Sequence, residues 1–314
     1  MNVNPQRNLR RFRSPILCSG LGGCVLLVGS FLSAQHPDVE ILPDVRPQSP
    51  ELIRRAESLR EEGLMMCMHT VEQQIQRPRT PLDLPPPRSK ALSGRELWAL
   101  SRSAHAIVTW HYLCLNCDRW HHQYAGGYFI TEDGVVATCE HVISPENKSY
   151  REGYLLVITP EGRLYPVSEI LAADKDTDTA LLRVDIDEPV TALPLNVSVF
   201  PGDSAWCYSA PLQRPGFFSR GIVNRFYRFS RKGGETIRMQ VSTDWAPGSS
   251  GSAVLDGFGN AIGHVSTILP ASSSSTPSAE NGTGESSRDA DRTQIVFRNA
   301  TRAADVLALI QTHN

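Results

Sequence analysis

The sequence has little of most features that mark a specialised chain. Aromatic residues fill 7% of its 314 positions, and there are only seven cysteines. That is too few for a scaffold stapled by disulfides. Neither sign of charge is in surplus: 31 Lys and Arg stand against 33 Asp and Glu, a formal charge of -2. The balance argues against a dedicated nucleic-acid binder, which carries a basic excess, so no nucleic-acid partner is expected. There is no internal repeat. Only one apolar run approaches the length of a membrane span, which excludes a polytopic membrane protein. What remains, 40% hydrophobic and 20% charged, is ordinary globular composition.

The single apolar run lies at the start. Residues 1–14 hold Arg7, Arg10, Arg11 and Arg13 and no acid, and an apolar stretch follows from Pro15 to about Ala34. A basic segment before an apolar one is the layout of a secretory signal. An uncleaved N-terminal anchor is the other reading, because the run is nearly long enough to span. Both readings put the rest of the chain outside the cytoplasm, periplasmic or secreted, since the arginines stay inside. Residues 35–95 read as proline-rich linkers around one helix. Four prolines fall within 36–50, Ser49-Pro50-Glu51 forms a helix start, strong helix formers run from 51 to 76, and five prolines fall within 77–90.

From about Glu96 the pattern changes to short apolar runs separated by turn signals. Examples are Ala106–Trp110, Gly127–Ile130, Gly134–Thr138, Tyr154–Ile158, Ala180–Val184, Ala205–Tyr208, Gly221–Val223 and Gly251–Leu255. Strands of this length and spacing predict an all-β sandwich or barrel. Residues 271–292, rich in Ser, Thr, Gly and charge, read as a mobile surface loop. Ile295–Phe297 is the last expected strand and Ala300–Ile310 a short terminal helix.

Chemistry concentrates in three places. Pro247-Gly248-Ser249-Ser250-Gly251 sets a serine in a glycine-flanked turn, where a backbone N–H can face a reacting carbonyl oxygen. Taken alone, such a cluster is as often a plain loop. His141 ends one expected strand and Asp178 opens another. Singly, such residues are more often structural, a turn or cap residue in the case of Asp178. Together the three run in the order His, Asp, Ser, which differs from the orders of subtilisin and the α/β-hydrolases. An esterase of the latter kind is therefore disfavoured.

The segment Gly127–Ile143 resembles the strand–turn–strand that delivers the catalytic histidine in bacterial trypsin-like serine proteases, including the HtrA type. Asp178–Val184 resembles their aspartate motif, Gly202–Pro211 and Ser219–Val223 the opening strands of their second barrel, Thr243–Val254 their nucleophile loop, and Asn260–Ser266 the strand lining their cleft. The resemblance spans about residues 97–312. It implies two antiparallel six-stranded β-barrels, about 96–190 and 195–300, with a short C-terminal helix and the active site between them. It also implies an exported serine endopeptidase acting on protein or peptide substrates without a cofactor. Ser250 would be the nucleophile, His141 the general base and Asp178 its orienting partner. The N–H groups of Gly248 and Ser250 would form the oxyanion hole. Ser249 stands where zymogens of the family carry an aspartate, so no such activation switch is expected. The chain stops soon after the terminal helix, so a protease domain without a PDZ domain is expected. A catalytically idle trypsin fold that binds protein is the competing reading.

Specificity is less legible. Asp244, six residues before Ser250, either favours a basic residue at the cut site or caps a turn. Val265 or His264, beside Ser266, would line the pocket, and strand alternation lets only one of them face it. Beyond residue 34, Cys67, Cys114, Cys117, Cys139 and Cys207 remain, an odd number, so at least one thiol is free or pairs between chains. Cys114-x2-Cys117 with His121 and His122 following could begin a zinc knuckle. With only His122 nearby as a further ligand, the expectation is a hairpin turn and no metal. Cys139 is expected beneath the active site. The arginines between Arg214 and Arg238 read as a solvated sheet face.

Overall fold

The computed structural model describes residues 41–44, 49–146, 148–231, 234–271 and 293–311. The expected signal or anchor (1–34) and all but the first residue of the expected loop 271–292 lie outside the described residues. No helix among the described residues is long and apolar enough to cross a membrane.

The elements run α1 Pro50–Glu61, α2 Met68–Gln74, β1 Thr80–Pro81, α3 Gly94–Ala104, β2 His105–Cys114, β3 Trp120–Phe129, β4 Val135–Thr138, α4 Glu140–Ile143, β5 Tyr150–Ile158, β6 Leu164–Asp174 and β7 Thr179–Val184. They continue with β8 Ser204–Ser209, β9 Phe217–Arg231, β10 Gly234–Val241, β11 Ala253–Leu255, β12 Ala261–Ala271, β13 Ile295–Arg302, α5 Ala303–Ala308 and β14 Ile310–Gln311. Two closed antiparallel barrels result, ordered β2-β3-β4-β7-β6-β5 and β8-β9-β10-β13-β12-β11. Closure leaves neither sheet with a free edge. The terminal helix is shorter than expected, because residues 300–302 pair within β13 and Ile310 and Gln311 pair with β1.

Strand alternation fills each barrel. In β8 the odd residues Ala205, Cys207 and Ser209 are buried, while Ser204, Trp206 and Tyr208 are partly exposed. The first barrel closes around Val108, Trp110, Phe129, Val136, Leu155, Val157 and Leu182. The second closes around Cys207, Met239, Val241, Trp245, Ile262 and Val265. A third cluster joins them: Tyr128, Ile130 and Leu181 from the first barrel meet Leu255 and Ala261 from the second and Val306 from α5.

The single helix expected over 51–76 is two. Gly63, at φ 69°, ends α1 in a Schellman motif: Leu64 N–H donates to Leu59 O at 3.0 Å and Gly63 N–H to Arg60 O at 3.0 Å. Good helix formers on both sides do not override a glycine at this position. Neither flanking segment is isolated. Ala56, Leu59 and Met65 bury against Leu156, Ile158 and Leu164 of the first barrel. The proline segment 77–90 is extended, as proline requires, but fastened at both ends. Arg77 pairs with Glu169 and its carbonyl accepts from Ala173 N. Arg88 exchanges backbone bonds with the Asn260 amide at 2.7 and 3.0 Å, and its guanidinium reaches Gly259 O and Ala192 O. This stretch is a strap from the first barrel to the second. Replacing Leu59, which is 2% exposed, by Ala is expected to cost about 2–5 kcal/mol of unfolding free energy. Urea denaturation measures it, and a loss too small to resolve would mean that α1 does not dock.

Candidate active site

His141 sits on α4, a single turn opened by Cys139 as N-cap. The turn is held from below by its carbonyls: Val142 O accepts the Trp110 indole N–H at 2.9 Å and the Lys148 ammonium at 3.2 Å. Burial pulls that lysine down to about 8. Asp178 ends the β6–β7 turn at φ 60°, a left-handed conformation that aspartate tolerates better than most side chains. The turn is tied from within by Asp174, whose Oδ1 accepts from Asp176 N at 2.8 Å. From outside it is tied by Arg238. Its guanidinium donates to Thr177 O (2.8 Å), Asp176 O (3.1 Å) and Thr301 Oγ1 (2.8 Å). Arg238 is 6% exposed, so the expected solvated arginine face does not include it. A buried guanidinium without such acceptors would cost several kcal/mol.

Asp178 and His141 meet directly. His141 Nδ1 lies 2.9 Å from Oδ1 and 3.0 Å from Oδ2, and its backbone N–H donates to Oδ1 at 3.1 Å. The second barrel supplies the Ser266 hydroxyl, which donates to Oδ2 at 2.5 Å, and buried His264, whose Nε2 lies 3.1 Å from Asp178 O. A carbonyl only accepts, so His264 Nε2 carries a proton. Burial pushes the Asp178 carboxyl up, but the bonds and charge of His141 and the Ser266 bond outweigh it and hold the carboxyl at about 2. The ionised carboxylate only accepts, which fixes the His141 proton on Nδ1 and leaves Nε2 as the basic nitrogen.

The Ser250 loop is anchored to both barrels. Ser250 O accepts from Gly126 N at 2.7 Å. Val265 O accepts both the Gly251 N–H (2.8 Å) and the Cys139 thiol (3.0 Å). Burial, and then the charge of Asp178, push that thiol well up, so it stays a neutral donor. The barrels touch backbone to backbone here: a Cβ on Gly251 would fall 2.2 Å from Gly126 O, so only glycine fits. Gly248, at φ 98°, makes the turn before the serine. Pro247 O is pinned by Leu212 N–H at 2.7 Å, and peptide planarity then directs the Gly248 N–H the opposite way. The N–H groups of Gly248 and Ser250 donate to no acceptor among the described residues. Nor does a hydrogen bond join Ser250 Oγ to His141 among them, a contact often loose before substrate binds. Ser249 is buried, its hydroxyl 3.1 Å from that of Ser209.

The residues expected to set specificity fall in different surroundings. Asp244 is exposed and bridges to Arg298 at 3.0 Å. Val265 turns its side chain into the second barrel's core, and His264 is buried as well, so neither side chain faces the cleft. Ser266 spends its hydroxyl on Asp178. A cavity of about 530 Å³ beside His141 and Asp178 is walled by Ser266, as expected, together with Tyr227, Phe229, Thr267 and Asn299. Period-two spacing of Tyr227 and Phe229 on β9 was the available signal, masked by Arg228 between them and Arg225 and Arg231 around them.

A carboxyl held lower in the folded chain than in the unfolded one stabilises the fold above about pH 4 and loses that contribution as pH falls through about 2. For Asp178 the shift corresponds to about 2 kcal/mol. Asp178→Asn is therefore expected to be less stable than wild type near neutrality, with the gap closing toward pH 2. Urea unfolding across that range reads it, and a gap independent of pH would contradict the assignment.

Residues 125–263 match the trypsin-like peptidase domain family. An uncharacterized protein, y4bJ, of Sinorhizobium fredii is 31% identical over 149 residues, 46% of this chain and 22% of that protein. A probable periplasmic serine endoprotease, DegP-like, of Halomonas elongata is 27% identical over 144 residues, 46% of this chain and 29% of that one. The mitochondrial serine protease HTRA2 of Bos taurus is 27% identical over 145 residues, covering 44% and 30%. The chain thus spans less than a third of the length of each of these relatives. With the paired barrels, these matches identify a trypsin-like peptidase domain in this chain, similar in part to the DegP-like and HTRA2 serine proteases.

Proposed function

We propose that the protein is a serine endopeptidase that cleaves peptide bonds through Ser250, His141 and Asp178. The observation that carries this reading is the two-oxygen contact between Asp178 and His141 Nδ1, completed from the second barrel by Ser266. It leaves His141 Nε2 free to accept a proton. Ser250 Oγ attacks the scissile carbonyl carbon as its proton passes to Nε2. The resulting oxyanion takes the N–H groups of Gly248 and Ser250, each such donor being worth about 3 kcal/mol in the transition state. His141 then gives the proton to the leaving amine, and the C–N bond breaks. Water, deprotonated by the same nitrogen, releases the acyl group and restores Ser250. Asp178 stabilises the imidazolium at each stage. No step calls for a cofactor.

We place the activity outside the cytoplasm, on the basic-then-apolar layout of residues 1–34. One similar protein is described as periplasmic.

Hydrolysis of a quenched fluorescent peptide library tests the reading. Ser250→Ala and His141→Ala are expected to lower kcat on the order of 10⁶-fold and Asp178→Asn about 10⁴-fold, with KM little changed, because all three act in the transition state. Activity that survives Ser250→Ala would refute the assignment. A folded wild type without activity would favour the idle, protein-binding alternative.

A further inference from the structure

The β2–β3 hairpin carries a cluster the proposed peptidase does not use. Sγ of Cys114, Sγ of Cys117 and a ring nitrogen of His121 all lie within 4.8 Å of one another. Cys117 Sγ is 3.0 Å from His121 Nε2. In a tetrahedral zinc site the corresponding S···S and S···N separations are about 3.8 and 3.5 Å, from bond lengths near 2.3 and 2.0 Å. The tightest contact, at 3.0 Å, needs to open by only about 0.5 Å.

The backbone is built to hold the two sulfurs together. Cys114 N–H donates to Arg119 O at 3.0 Å and Asp118 N–H to Cys114 O at 3.2 Å, which closes the tip. Asp118 sits at φ 51°, so the chain reverses directly after Cys117. Inside the turn, Asn116 N–H donates to Cys114 Sγ at 3.4 Å, the outer-sphere bond that steadies a metal-bound thiolate. His121 is fixed across the ladder by its partner Tyr112, which itself stacks on Tyr150 with ring centres 3.9 Å apart.

The sequence weighed His122 as the missing ligand, and alternation along β3 sends it to the other face. There its Nε2 lies 3.2 Å from Nδ1 of buried His111. The carboxylate of Asp118 is bridged to Arg151 at 2.6 Å. The cluster therefore offers three protein ligands and leaves one position to solvent.

We propose that Cys114, Cys117 and His121 bind one Zn²⁺ at the tip of this hairpin, with water as the fourth ligand. Two thiolates and an imidazole are a soft set that suits zinc and disfavours magnesium or calcium. Binding displaces the two thiol protons to solvent, so affinity rises with pH.

The test is zinc titration of the full chain, stripped with chelator and kept reduced, against a competing chromophoric chelator, with cobalt as a spectroscopic substitute. One equivalent of zinc is expected to bind, and cobalt to give an intense thiolate-to-metal charge-transfer band. Cys114→Ser/Cys117→Ser is expected to weaken zinc binding on the order of 100-fold or more and to abolish the band. His121→Asn should weaken it to a lesser degree, whereas His141→Ala should leave it unchanged. Three results would overturn the proposal. One is the absence of the cobalt band in the wild type. Another is zinc retained by the double cysteine variant. The third is zinc lost in His141→Ala, which would locate the metal at the His141–Asp178 pair. The cobalt band needs no variant, so misfolding of a mutant does not blunt the test.

Discussion

A carboxylate shut away from water must be surrounded by donors, and much of this molecule is arranged to surround Asp178. Its two oxygens take His141 from the first barrel and Ser266 from the second. Its carbonyl takes His264, and the two carbonyls before it are bound by Arg238. Stripping His141 or Ser266 leaves the buried charge short of a donor, a loss of several kcal/mol, and stripping His264 or Arg238 leaves buried carbonyls unpaired. The barrels are therefore locked in register by one ionised group, and the same lock sets the tautomer of His141.

The rest of the architecture keeps that seam closed. Gly126 and Gly251 let the two backbones touch, and Val265 O gathers donors from the histidine side and the serine side onto one atom. The apolar cluster between the barrels is completed by α5, and the proline strap crosses from Arg77 on the first barrel to Arg88 on the second. A strap poor in conformational freedom loses little entropy on docking. Such rigidity suits the proposed peptidase site, which would rest on donors fixed before the substrate arrives.

Much of this was legible in the sequence. Short apolar runs between turn signals marked most strands, and the order of His141, Asp178 and Ser250 with the resemblance around them implied the paired barrels. Two barrel strands escaped, besides the short β1 and β14. β6 contains Pro166 and carries bulges near Val167 and Ile170 that break its alternation. In β10, Arg238 read as part of a solvated arginine face, yet it is buried on two carbonyl oxygens and the Thr301 hydroxyl, partners that no local pattern reveals. The same limit applies to specificity. Distance along the chain from Ser250 singled out Asp244, but the ion pair with Arg298 depends on a residue 54 positions away. Tyr227 and Phe229 reach the cavity because the long β9–β10 hairpin meets the β6–β7 turn through Arg238, and Thr267 enters it from β12. The helix break at Gly63 was local and readable, since a glycine followed by an apolar residue is the ordinary end of a helix.

The central claim is that the two barrels assemble a nucleophilic serine at position 250. Labelling of the purified chain with an organofluorophosphonate, followed by peptide mass mapping, addresses it directly. The account predicts a single adduct on Ser250 that disappears in His141→Ala although Ser250 itself is intact. An adduct on another residue, or labelling of Ser250 that persists without His141, would contradict it.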